Sequence, residues 1–165
     1  MDRKPFSLPY SVTGKRDMAR LVREVTALED YLHQASLRGS GAQNAAKLPK
    51  TSRLLDEIVT ANGLNLLDAD ARTKLLNSLK LIQQKAPLVH MSFSVDPSAA
   101  FMQKMVAWWR DNIDPYVLVE VGLQPNIAAG CLVRTVNRQY DFSLRRRLQA
   151  QKAELAKQLE GPAKA

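Results

Sequence analysis

One cysteine, Cys131, and two histidines, His33 and His90, are all the chain holds of the side chains that most often bind transition metals. An intrachain disulfide is excluded by count, and a single thiol cannot assemble a cysteine-based zinc site. The histidines are far apart and in no HExxH spacing, so neither reads as a ligand or a general base. Cys131 sits in an apolar run and reads as a buried strand residue. Apolar runs are only a few residues long, against the roughly 20 that cross a bilayer, and the opening MDRKPFSLPY has no apolar signal-peptide centre. The expectation is a soluble, cytoplasmic protein. Also missing are the GxxxxGK[ST] phosphate loop, the GxSxG elbow and the GxxG loop of a KH fold. No constellation supports an enzyme, and neither a cofactor nor a metal is expected.

What is present is enough apolar material for a core: 45% of 165 residues, sized for one ordinary domain or two small ones. The net charge is +8 and the pI about 9.8. Its distribution matters more than its total. Residues 1–85 hold 14 basic and 9 acidic side chains (+5), residues 86–143 hold 4 and 5 (−1), and residues 144–165 hold 6 and 2 (+4). The positive charge therefore lies on flanking helical parts, where it suits solvated faces, an acidic protein partner or nucleic acid.

Periodicity divides the chain. Ser11 or Thr13 can cap a helix running to about Arg38, whose stripe of Leu21, Val25, Leu28 and Leu32 must lie on its own domain or a partner. Residues 38–50, with Gly39, Ser40, Gly41 and Pro49, read as a flexible linker. Helices follow from about Thr51 to Ala61, stopped at Asn62-Gly63, and from near Asp68 to Gln84, stopped before Pro87. Asp68 and Asp70 fall where carboxylates stabilise a helix start, so capping explains them without a metal.

The period then changes. Val89, Met91, Phe93 and Val95 alternate with polar residues, as in a half-buried strand. Asp96 is read as the cap and Pro97 as the first residue of a helix packed by Phe101, Met105, Trp108 and Trp109. Paired tryptophans can stack bases, but on a helix they read as core and rim. A second strand places Val117, Val119, Val121 and Leu123 on one face. AAGCLVRTV and QYDF then form a hairpin turning at Asn137 and Arg138. Ser143 can cap a last helix, SLRRRLQAQKAELAKQLE, with apolar Leu144, Leu148, Leu155 and Leu159 beside a broad basic face. The fold expected is α+β, with a helical part over residues 1–85 and a β-α-β-β unit with a terminal helix over residues 86–165.

The run QPNIAAGCLVRTVNRQYDFSLRRRL resembles the C-terminal signature of the F-type ATP synthase delta subunit family, which includes the mitochondrial oligomycin-sensitivity-conferring protein. Pro125, Ala129-Gly130, Leu132, Val133, Arg134, Asp141, Ser143, Leu144, Arg145 and Leu148 hold the places of that signature, with Ala129 where the family has its first glycine. The likeness extends over about Arg53 to Leu148, since RLLDEIVTANGLNLLDADARTKLLNSLKLI is similar to the last helices of the family's N-terminal bundle. Pro125, Gly130, Asp141 and Ser143 read as structural: Gly130 for a bulge or close approach, Asp141 and Ser143 to hold the hairpin exit and start the helix.

The resemblance implies a non-catalytic peripheral-stalk subunit that ties the F1 alpha/beta head to the b-subunit stalk. It would act in proton-coupled ATP synthesis, as one copy within a hetero-oligomer at the inner face of the membrane. Partner binding would use Leu144 and Leu148, with Arg145, Arg146 and Arg147 meeting acidic residues of the stalk. The resemblance implies no direct nucleic-acid contact. From the basic ends alone, the competing expectation is a small RNA- or ribosome-associated protein whose binding falls steeply with salt.

Overall fold

The computed structural model describes residues 6–38, 50–127, 129–145, 149, 151–152 and 156. It is a mixed helix-and-sheet structure. Four helices, α1 (Lys15–Arg38), α2 (Arg53–Asn62), α3 (Ala69–Lys85) and α4 (Ala99–Asn112), accompany four strands, β1 (Leu88–Phe93), β2 (Leu118–Leu123), β3 (Cys131–Arg134) and β4 (Gln139–Asp141). The chain divides into two compact units. The first comprises residues up to Pro87 with Gln103–Leu118, and the second comprises Leu88–Met102 with the residues from Val119 onward. No helix among the described residues is long and apolar enough to cross a membrane.

In the first unit α1 packs on α3 and α2. Its stripe of Met18, Leu21, Val25 and Leu28 is buried, which at about 1.5–3 kcal/mol per side chain is the main force holding the helices together. Asp17 organises its start, its Oδ2 accepting from Thr13 N (2.9 Å), Thr13 Oγ1 (2.8 Å) and Gly14 N (3.3 Å). Ser11 has another role, donating its hydroxyl hydrogen to Glu57. Ser52 caps α2 and also ties it to α1, donating its hydroxyl hydrogen to Glu24 Oε2 (2.6 Å). Gly63 ends α2 in the left-handed conformation (φ 60°) that a helix C-terminus favours. Asp68 caps α3, its Oδ1 accepting from Asp70 N (3.1 Å). The expected linker, residues 38–50, lies almost wholly outside the described residues.

The opening segment is tied down by side chains distant in sequence. Arg110, from the end of α4, donates to the carbonyls of Leu8 (3.1 Å), Pro9 (2.7 Å) and Val12 (2.6 Å), and to that of Val117 (3.2 Å). Asn62 exchanges two 2.8 Å bonds with the backbone of Ser7, and the Tyr116 hydroxyl donates to Phe6 O (3.1 Å). Burial lowers the Arg110 guanidinium to about 10, so it is charged at neutral pH.

The second unit holds the sheet, in the order β2-β1-β3-β4. Leu118 N donates to Pro87 O (2.9 Å) and Gln124 N to Phe93 O (2.8 Å). The paired positions rise together along both strands, so β1 and β2 run parallel. β3 is antiparallel to β1, with Met91 opposite Val133, and β4 is antiparallel to β3, with Val133 opposite Tyr140. Val89, Met91 and Phe93 are buried on one face, as alternation demands, and Phe101 meets Phe93 edge-on at 5.9 Å.

Two expectations about α4 are corrected. Asp96 and Pro97 do not start it; Ser98 does, its Oγ accepting from Phe101 N (3.3 Å) and its carbonyl from Met102 N (3.0 Å). Serine caps as well as aspartate, and residues 94–97 are used in leaving the sheet. The buried stripe is Met102, Val106 and Arg110; of the expected Phe101, Met105, Trp108 and Trp109, Met105 and Trp109 are half-buried while Phe101 and Trp108 are exposed. Periodicity gave the stripe's width, but the carbonyls that draw in Arg110 set its rotation. Of the apolar face expected for the second strand, Val117, just before β2, and Val119 are buried while Val121 and Leu123 are exposed.

Candidate partner-binding site

The segment leaving the sheet is built around close backbone approaches. Pro125 opens a single turn of 3-10 helix, Pro125–Ile127, which puts Ile127 in the core. Gly130 follows at φ +94°, a region that L side chains rarely adopt. A Cβ built there would overlap the carbonyl oxygen of Phe142 and stand 3.0 Å from Ser143 Cα. Phe142 N donates to Cys131 O (2.9 Å), and Leu144 N to Ala129 O (2.9 Å). Asp141 Oδ1 accepts from Ser143 N (2.8 Å), turning the chain from β4 into its next helical residues, Leu144 and Arg145. Gly130, Asp141 and Ser143 thus meet in one backbone clasp, with Ser143 buried, and Pro125 opens the turn that precedes it.

The clasp displays a row of exposed side chains. Tyr140 and Phe142 stack with ring centroids 6.2 Å apart and planes 19° from parallel, and Phe142 is 63% exposed. Leu144 and Arg145 are also exposed. Arg138, in the turn between β3 and β4, is held above its ordinary value by hydrogen bonding to Tyr140. Arg146, Arg147 and Leu148 lie outside the described residues, as does most of the helix expected after Ser143.

Compared with known proteins, the chain matches no family model and no curated protein.

The opposite face of the sheet is polar. A cleft of about 450 Å³ there is lined by His90, Ser92, Glu120, Gln124, Arg134 and Gln139 among others. His90 Nδ1 lies 3.1 Å from Glu120 Oε2, but both side chains stand open to water, at 50% and 38% exposure, which screens the pair. Arg134 is turned aside to Gln139 Oε1 (3.3 and 3.2 Å). The first unit has a smaller and more apolar cleft of about 320 Å³, formed by Phe6, Leu81, Ile82, Pro87 and Tyr116 with Lys85 and Asp114. His33 is exposed on α1. Among the described residues no three His, Cys, Asp or Glu side chains could hold a metal ion. Cys131 is half-buried, and burial pushes its thiol up, away from the reactive thiolate.

The sequence reading did not single out Arg138, Tyr140 or Phe142 for binding. The alternation of Tyr140 and Phe142 marked them only as strand residues, and Arg138 was marked only as part of the hairpin turn. The missing signal is the register of β4, which places Tyr140 beside Val133 at the sheet edge.

Proposed function

We propose that the chain is a non-catalytic peripheral-stalk subunit of an F-type ATP synthase, joining the F1 head to the b-subunit stalk and supporting proton-coupled ATP synthesis. The observation that carries this reading is the amino-acid sequence from Pro125 to Leu148, in which Gly130 stands where the backbone has no room for a side chain. A signature whose residues build a rigid exit from a sheet suits an adaptor, which must resist torque without doing chemistry. The proposal includes the finer architecture, a helical N-terminal part followed by a β-α-β-β unit and a C-terminal helix. It also includes a place at the inner face of the membrane, held there only through the complex.

In this reading Leu144 and Leu148 supply apolar contact to the stalk, and Arg145, Arg146 and Arg147 supply its electrostatic complement. Co-purification of the full chain with F1 and with the C-terminal part of a b subunit tests it. Retention of both is the expected result, and failure to retain either overturns the proposal.

A further inference from the structure

The exposed row at the clasp has the properties of a preformed docking wall. Phe142, just past the end of β4, is one of the most exposed large apolar side chains of the second unit, whereas Phe93 on β1 is buried. Its stacking on Tyr140 fixes both rings before any partner arrives, so little rotamer freedom remains to be lost on binding. Backbone bonds on either side hold the row in place: Phe142 N to Cys131 O, Asp141 Oδ1 from Ser143 N, and Leu144 N to Ala129 O. Two arginines flank it. Arg138 stands at the Tyr140 hydroxyl and Arg145 follows Leu144 directly, and among the described residues no ion pair engages either.

We propose that Tyr140, Phe142 and Leu144, flanked by Arg138 and Arg145, dock an acidic amphipathic helix of a partner protein. Only the naming of that helix as a b-subunit helix rests on the stalk-adaptor reading. Charge selects the class of occupant. The flanking cations, together with the +4 balance of residues 144–165, attract carboxylates and disfavour a second copy of this chain, which would bring the same cations to the contact. Geometry disfavours single-stranded nucleic acid, because each ring already gives one face to the other instead of to a base. An apolar helix stripe laid across the ring edges, with glutamates reaching Arg138 and Arg145, uses every exposed group of the row.

The test uses the full chain and two synthetic peptides of about 20 residues with identical leucine stripes, one flanked by glutamates and the other by lysines. Calorimetric titration should show binding of the glutamate peptide and at least tenfold weaker binding of the lysine peptide. Phe142→Ser should weaken the glutamate peptide roughly 30-fold, as loss of a central aromatic anchor does. Phe142→Leu should restore part of the affinity, and circular dichroism confirms that both variants fold. The double reversal Arg138→Glu with Arg145→Glu should invert the preference between the peptides.

Equal binding of the two peptides, an unchanged affinity in Phe142→Ser, or self-association lost in that variant overturns the proposal. So does tighter binding of oligouridine than of the glutamate peptide through the same residues. The two readings fail separately. Glutamate-peptide binding without retention of F1 removes the stalk reading alone, whereas retention of F1 and b that survives Phe142→Ser removes the docking wall alone.

Discussion

Arg110 reaches Val12, 98 residues earlier in the chain, with a 2.6 Å bond from Nη2 to the carbonyl oxygen. The same guanidinium serves the carbonyls of Leu8, Pro9 and Val117, and every acceptor it bonds is a backbone carbonyl. A buried cation satisfied by backbone carbonyls is sustained by its fork of five donors, which lysine cannot reproduce. Arg110→Lys and Arg110→Met should each lower the unfolding free energy by about 2–4 kcal/mol, because several carbonyls lose their donor together. Urea denaturation followed by circular dichroism measures this. A loss under about 0.5 kcal/mol, the range of a neutral surface change, would show that the opening segment is held by its other ties.

The bond between Glu24 and Ser52 makes stability depend on acid. Burial alone would raise the Glu24 carboxyl, but hydrogen bonds from Ser52 and Arg20 outweigh it and hold the group below its ordinary 4.5. A carboxyl lowered on folding stabilises the native state above its unfolded value, and that contribution is lost as pH falls through the folded value. Unfolding midpoints should therefore drop below about pH 4.5 and do so less steeply in Glu24→Gln, read from denaturation curves across pH 2–7. Ser52→Ala removes both the α2 cap and the bond to Glu24 and should cost about 1–2 kcal/mol at pH 7.

Two glycines with positive φ are predicted to respond differently to alanine. Gly63 has nothing within 4 Å of a built Cβ, so Gly63→Ala should cost only the conformational penalty of about 1 kcal/mol. At Gly130 the same change also drives a methyl group into the Phe142 carbonyl, and more than about 2 kcal/mol is expected. Thermal unfolding of the two variants side by side makes the comparison. Equal losses would mean that the clasp yields without cost.

Salt dependence separates the classes of partner. If the row at Arg138 and Arg145 meets carboxylates across an apolar contact, raising salt from 50 to 500 mM should weaken binding to a protein partner by roughly tenfold. A nucleic-acid contact through several phosphates would fall by about a thousandfold or more over the same interval. Affinities measured at four salt concentrations distinguish the slopes.

The amino-acid order alone determined the local features. Gly63 and Asp68 ended and began helices where their backbone preferences require, and the alternation through Val89, Met91 and Phe93 defined a strand with one buried face. The spacing of Leu21, Val25 and Leu28 marked the stripe that α1 buries, but left open what it would meet. Gly130, Asp141 and Ser143 were legible as backbone-shaping residues because their chemistry acts over a few neighbours. Tertiary structure decided the rest. The rotation of α4, and with it the exposure of Phe101 and Trp108, depends on Arg110 finding carbonyls about 100 residues away, which no local period encodes. Likewise, Tyr140 and Phe142 became an exposed stacked pair only when the β3–β4 register placed them at the open edge of the sheet. Long-range pairing fixes such register, whereas sequence period specifies only which residues share a face.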